Sequence, residues 1–332
     1  MSALDESILH EIPRQLRPLN IMRDLPHVAD LVETCFSSTM DADGQRFIQQ
    51  LRRAGKDNRF LHWAVNAVES TSMPLSGYVW EEEGSLVGNV SLIPFRSRGR
   101  RIYLVANVAV HPDHRRRGIA RQLTLQALEY TRKRKADATW LQVRDDNQGA
   151  IDLYTELGFQ EQARRTKWKA APDRNLPAGD RLFEIKNRSA GQWNAQLEWM
   201  QRLYPENLDW YQPTPWIRFR PGLVASLYRF FIESETRIWT ISGPTGLLAA
   251  ISWLAGFGRT GQLWAALPEQ VEPAVLTALL LHVRRNLTGH EALSLDMPVG
   301  EAADPIKAAG FNAQRTLVWM RFNTTLADEL RK

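Results

Sequence analysis

Residues 115–121, "RRRGIAR", set four arginines around a glycine where an apolar run, "RIYLVANVAV" (101–110), gives way to helical periodicity. A helix N-terminus leaves several backbone N–H groups unpaired and carries the positive end of the macrodipole, which suits a phosphate. Gly118 lets the backbone approach closely without a Cβ, and Ala120 keeps the next turn small. Arg115, Arg116, Arg117 and Arg121 add charge. Each charge-assisted hydrogen bond contributes about 1.5–3 kcal/mol, so a few amides and one arginine could hold a pyrophosphate at roughly micromolar affinity. The alternative is a solvated basic turn that only caps the helix.

The elements around this turn alternate. A short strand (16–20) precedes a helix from Leu25 that puts Val28, Leu31, Val32 and Cys35 on one face, and a second helix is predicted over 43–55. Residues 76–95 read as two strands joined by a turn at Glu82, Glu83 and Gly84, and 101–110 as a buried central strand. Ile119, Leu123, Ala127 and Tyr130 recur at helical spacing up to "RKRK", where cations favour a helix C-terminus. "ATWLQVR" (138–144) is the next strand, "NQGAIDLYTELGF" (147–159) a short helix stopped by Gly158, and "RRTKWKA" (164–170) a closing strand. Residues 171–180, "APDRNLPAGD", have the composition of a linker.

The second half repeats this order. Gly158-Phe159 and Gly310-Phe311 stand 152 residues apart, and the same offset lays Leu141 on Leu293, Leu123 on Val275 and Leu128 on Leu280. This pattern predicts a duplication. Where the first half has "HRRRGIA", the second has "LPEQVEP" (267–273), without glycine or arginine and with two carboxylates.

"VAVHPDHRRRGIARQL" resembles motif A of the GCN5-related N-acetyltransferase (GNAT) family, whose pattern [QR]xxGx[GA] matches at Arg115, Gly118 and Ala120. "NQGAIDLYTELGF" resembles the family's following segment, matching at Asn147, Ala150, Leu153, Tyr154, Gly158 and Phe159. The resemblance covers roughly residues 15–170, and the C-terminal half is similar to a diverged second copy. It implies an α/β fold (α+β, mixed sheet) of two tandem acetyltransferase-like domains. Residues 1–170 form the acetyl-CoA-binding domain, 171–180 the linker and 181–332 a degenerate copy.

The resemblance also implies that the sheet splays between the strand ending at Val110 and the strand at "TWLQV", with acetyl-CoA in the split. Backbone groups of Val108, Ala109 and Val110 would pair with the pantetheine arm. The loop amides of Arg116, Arg117, Gly118, Ile119, Ala120 and Arg121 would hold the pyrophosphate, and Asn147 would hydrogen-bond the arm. The reaction implied is direct attack of a neutral primary amine on the thioester, the acceptor being a small-molecule amine or a peptide N-terminus. Tyr154 matches the tyrosine that protonates the departing thiolate, with packing of its helix as the alternative role. Some members carry a glutamate where this chain has Asn107, which cannot accept a proton at neutral pH. Glu81, Glu82 and Glu83 are candidates for a relay, a solvated hairpin is the plainer reading of "EEE", and no base is assigned. Asn107 also motivates a competing reading, a non-catalytic acyl-CoA-binding or interaction module.

Composition narrows the field. The 332 residues, 44% hydrophobic and 24% charged, suit two soluble domains. One cysteine, Cys35, offers no internal disulfide, which fits the cytoplasm. No signal-peptide core or membrane-length apolar run is present, the longest being "LTALLLHV" (276–283). A net charge of +5 would suit an anionic partner, but Lys and Arg are scattered among acids without a nucleic-acid motif, so no nucleic acid is expected. "GFGRTG" (256–261) matches GxGxxG yet leads into another strand, which predicts a hairpin and not a nucleotide loop. His111, Asp113 and His114 lack a further ligand, so no metal is expected. Eight of the twelve tryptophans fall in the second half, and core or domain interface is the expected place for them, ahead of a substrate wall.

Overall fold

A computed structural model describes residues 13–40, 42–57, 59–61, 63, 73–173, 176, 182–222, 235–254, 260–287 and 292–322. Most of the expected linker, 174–175 and 177–180, lies outside them. The chain divides into two compact units, residues 1–162 with 319–332, and residues 163–318.

Unit 1 begins with β1 (Leu16–Pro18), α1 (Ile21–Phe36) and α2 (Ala42–Ala54). Its sheet continues through β2 (Ser76–Glu82), β3 (Ser85–Ser97), β4 (Arg100–Val110) and β5 (Ala138–Arg144), in the order β1-β2-β3-β4-β5. The expected hairpin turn narrows to Glu83 and Gly84, both at positive φ (+49° and +78°), the geometry a two-residue loop requires. Only β4 and β5 run parallel, joined through α3 (Ile119–Lys133). The two faces of β3 divide the core. Gly88 faces α3, where a Cβ would meet Ile119 at 2.9 Å, so only glycine lets the helix seat this closely. Its pleat neighbours alternate to the other face, on which α1 packs with Val28, Val32, Val79 and Ala109 in one buried cluster.

Helix α1 starts four residues earlier than its apolar periodicity indicates. Asn20 caps it by accepting the Met22 N–H, and Asp24 reaches back to the Asn20 N–H at 2.8 Å; Pro26 lies in the second turn. Asp24 is 1% exposed and pairs with Arg17 at 2.6 Å and Arg23 at 2.9 Å. Burial pushes its carboxyl up, but hydrogen bonds from Arg17, the Asn20 N–H and Arg23 outweigh burial and hold it below the usual carboxylate range. A lowered folded-state pKa adds stability above the unfolded value, near 3.9, that is lost as pH falls through the folded one. Asp24→Asn is therefore expected to cost about 3 kcal/mol at neutral pH, with the gap to wild type closing in acid. Denaturant melts at neutral and acid pH test both halves of this expectation.

The order of unit 1 recurs in the second half. There β7 (Ile185–Asn187), α5 (Trp193–Leu203), α6 (Trp216–Phe219), β8 (Thr236–Gly243), β9 (Gly246–Leu254) and β10 (Thr260–Ala266) are followed by α7 (Pro273–Asn286), β11 (Ala292–Pro298), α8 (Ala303–Ala308) and β12 (Asn312–Phe322). The first half closes equivalently with α4 (Gln148–Glu156) and β6 (Gln160–Ala170). Strands β10 and β11 are parallel, as β4 and β5 are. The last strands exchange membership: from Ala163 on, β6 belongs to unit 2, while β12 from Trp319 on belongs to unit 1. In unit 1, Trp319 packs edge-on to Trp140 and Phe322 lies against Phe159. Unit 2 orders its strands β12-β6-β11-β10-β9-β8-β7.

The repeat register needs one correction. Leu123, Thr124, Ala127, Leu128 and Thr131 are buried on α3, and the 152-residue offset lays them on Val275, Leu276, Leu279, Leu280 and Val283, all buried on α7. The strands do not keep that offset. Val105 opposes Leu141 in unit 1 and Leu263 opposes Leu295 in unit 2, so Leu141 corresponds to Leu295 and not to Leu293. Two extra residues between helix face and strand shift the second copy, and a shorter α8 (six residues against nine in α4) absorbs the shift before Gly310.

The tryptophans of the second half serve the core. Trp210, Trp239, Trp253 and Trp264 are buried, and Trp193, Trp199 and Trp216 are half-buried against the Met200–Phe219 cluster. The GxGxxG segment joins antiparallel β9 and β10 as a hairpin, with 255–259 outside the described residues. Among the described residues, no helix is long and apolar enough to cross a membrane.

Candidate active site

The β4–β5 ladder runs from Ile102↔Ala138 to Val105↔Leu141 and stops, although β4 continues to Val110 and β5 to Arg144. Beyond that point the two strands are no longer paired, in keeping with the split that the family resemblance implies. On its other edge β4 carries a bulge. Ser91 opposes Ala106 and Asn89 opposes Ala109, which leaves Asn107 and Val108 outside the β3 register. Asn107 takes φ +51°, and its carbonyl accepts from Asn89 Nδ2 at 2.9 Å. Residues 106–108 are half-buried, unlike the buried run 102–105.

The arginine turn follows directly. Pro112–His114 form a 3-10 turn, Arg115 is extended, and Arg116 and Gly118 take left-handed conformations (φ +63° and +78°). Gly118 is the N-cap of α3, and a Cβ there would meet nothing within 4 Å. Helical bonding begins with the Gln122 N–H on the Gly118 carbonyl at 3.1 Å. Among the described residues no acceptor sits on the N–H groups of Arg116 through Arg121, which suits an anion seat at this helix end.

The arginines divide their work. Arg117 is clamped to Glu82 by two 3.0 Å hydrogen bonds, Arg121 pairs with Glu156 at 3.0 Å, and Arg115 Nε donates to the Val110 carbonyl at 3.2 Å. Arg116 is exposed and makes no side-chain bond among the described residues. It is therefore the arginine free to turn toward a bound phosphate. The half-buried Cys35 thiol also reaches the Val110 carbonyl, and burial pushes its pKa up.

The "EEE" carboxylates are committed. Glu81 pairs with Arg17 at 2.6 Å and with Arg23 at 3.0 Å, and its hydrogen bond from Arg17 lowers its pKa. Glu82 accepts from Trp80 Nε1 and from Arg117, which lower its pKa likewise. Such carboxylates are poor proton acceptors at neutral pH. His111 stands 3.6 Å from Asp113 and His114 3.6 Å from Glu82, and no group of three or more His, Cys, Asp or Glu gathers among the described residues.

Helix α4 carries the remaining candidates. Asn147 is its N-cap, accepting the Ala150 N–H at 3.2 Å through Oδ1, which orients the side chain and leaves its Nδ2 donors for a ligand. Gly158 ends the helix at φ +93°, with the Phe159 N–H returning to the Tyr154 carbonyl at 2.9 Å. This closure brings the Phe159 ring against Tyr154, centroids 5.9 Å apart, as the accompanying apolar contact of such a cap. Tyr154 is 7% exposed, and burial raises its phenol pKa, so the group holds its proton at neutral pH.

Residues 37–159 match the family model described as the acetyltransferase (GNAT) family. Over this segment, which is less than half of the chain, the protein is similar to the GNAT family. A ribosomal protein bS18 alanine N-acetyltransferase of Escherichia coli is 39% identical over 67 residues, which cover 20% of this chain and 45% of that protein. A mycothiol acetyltransferase of Tsukamurella paurometabola is 43% identical over 61 residues, 18% of this chain and 21% of that one. The chain thus spans less than half the length of these curated relatives. A GCN5-related N-acetyltransferase from Sphaerobacter thermophilus shares the fold over 95% of this chain and 97% of its own, with a TM-score of 0.57 at 14% identity.

In unit 2 the region equivalent to the split of unit 1, between the end of β10 and the start of α7, is filled by the unit's own side chains. Helix α7 begins with Glu272 as N-cap at φ −63° and Pro273 at its first turn. The Ala265 N–H near the end of β10 donates to the Tyr204 hydroxyl at 2.8 Å. Arg202 Nη2 donates to the carbonyls of Leu267 and Pro268, both at 3.1 Å. Arg165 lies over the Tyr204 ring and pairs with Asp296. Neither this plug nor Asn89 is legible as a local motif. For Asn89 the available signal was an asparagine inside an apolar strand, where that residue is disfavoured.

Proposed function

We propose that the protein is an N-acetyltransferase that takes the acetyl group of acetyl-CoA and passes it to a primary amine by direct attack. The observation that carries this reading is the parting of β4 from β5 directly above a left-handed glycine that opens α3 with free N–H groups. Val108, Ala109 and Val110 would offer backbone groups to the pantetheine arm, the amides of 116–121 would hold the pyrophosphate, and Asn147 Nδ2 would bond the arm. The amine nitrogen forms a bond to the thioester carbon, the C–S bond breaks, Tyr154 supplies the proton to sulfur, and the proton that nitrogen loses passes to water, from which the Tyr154 hydroxyl is restored. The relatives named above support an amine acceptor, either a small molecule or a peptide N-terminus. A reducing cytoplasm fits the unpaired Cys35.

The proposed organisation is two repeats, 1–170 and 181–332 joined by 171–180, whose closing strands are exchanged between the compact units. Only the first repeat would bind the donor, since in the second Tyr204 occupies the β10 backbone and Arg202 the two carbonyls that follow it. Calorimetric titration of acetyl-CoA is expected to give one site per chain. Two sites would contradict the closed second unit, and no binding would overturn the proposal.

A second reading, a non-catalytic acyl-CoA-binding module, draws on Asn107 and on the ion-paired state of Glu81 and Glu82. CoA release above the spontaneous rate across an amine panel excludes it.

A further inference from the structure

We infer that Asn89 is a positioning residue for acetyl transfer, aiming the Val108 N–H into the split by holding the carbonyl of Asn107. The inference rests on the acetyltransferase reading above and names a group that acts through the backbone.

Asn107 C=O and Val108 N–H belong to one peptide unit, and in a planar trans peptide they point in opposite directions. The carbonyl is drawn to Asn89 Nδ2 on β3 at 2.9 Å. The N–H consequently points away from the Asn89 amide, on a stretch of β4 that β5 leaves unpaired after Val105↔Leu141. A fixed donor at that edge can polarise a carbonyl on which negative charge develops during attack.

The conformation gains from a tether. Asn107 stands at φ +51°, a region asparagine enters more readily than most non-glycine residues, and the bulge removes both Asn107 and Val108 from the β3 register, so neither is held by the strand pairing. Asn89 is an expensive residue to keep where it is. It is fully buried, and its Oδ1 is buried with no hydrogen-bond partner among the described residues. An apolar side chain would avoid that cost, so the orphaned oxygen asks for an explanation. Its Nδ2 provides one, since besides the Asn107 carbonyl it reaches, among the described residues, only Ser91 Oγ, at 3.3 Å.

The test needs no acceptor. Acetyl-CoA labelled with carbon-13 at the thioester carbonyl is bound to the full chain, and its infrared stretch is compared with that of the free compound. Wild type is expected to lower the frequency, and Asn89→Leu to return it toward the free value while CoA affinity by calorimetry changes less than about threefold. Turnover, once an acceptor is found, should fall about a hundredfold. A wild-type frequency retained in Asn89→Leu overturns the role of Asn89 and leaves the acetyltransferase reading standing. Failure of wild type to bind acetyl-CoA overturns that reading first, and this one with it. If Asn89→Leu does not fold, Asn89→Thr, a good strand former without the reach to the Asn107 carbonyl, takes its place with the same expected shift.

Discussion

Gly118→Glu is expected to abolish acetyl-CoA binding while the protein stays folded. The fold survives because a Cβ at this position meets nothing within 4 Å, and Gly118 is exposed at the start of α3. The left-handed φ of +78° makes any side chain cost about 1–2 kcal/mol, a modest part of the stability of a chain this size. Binding does not survive. A carboxylate about 4 Å from a pyrophosphate oxygen is repelled by about 4 kcal/mol at an effective dielectric near 20, close to a thousandfold in affinity. Solvent at this open turn screens part of that, so a loss of at least about a hundredfold is the expected reading. Gly118→Ala separates the causes, since it carries the strain and the Cβ without the charge and should lose much less. Calorimetry with circular dichroism on both variants checks the result, and undiminished affinity in Gly118→Glu would remove the arginine turn as the cofactor seat.

Tyr154→Phe is expected to lower kcat about a hundredfold, the scale of a positioned general acid, with the Kd for acetyl-CoA unchanged. The substitution keeps the ring that packs on Phe159 and removes only the hydroxyl. Burial has raised the phenol pKa, so the proton is present at neutral pH and its delivery to the leaving sulfur is what the variant lacks. Steady-state kinetics with the acceptor found by amine screening measure this. Equal kcat in the two proteins would make Tyr154 a packing residue whose helix is merely closed by Gly158 and Phe159.

The sequence alone determined the parts of this protein that short-range physics encodes. Period-two and helical spacings located the strands and helices, glycines at 84, 118, 158 and 310 marked the left-handed turns, and the recurring Gly-Phe closure disclosed the duplication. The arginine turn was legible because a helix N-terminus with a left-handed glycine is set by neighbouring residues. Tertiary structure decided what depends on partners far along the chain. The bulge at Asn107 and its tether to Asn89 follow from the β3–β4 register. The engagement of Arg117 by Glu82, of Glu81 by Arg17, of the β10 backbone by Tyr204 and of the Leu267 carbonyl by Arg202 follows from packing across 35, 64, 61 and 65 residues. The exchange of the ends of β6 and β12 between units is equally invisible locally, because a strand's pattern fixes which face is buried and leaves open which neighbour it pairs with.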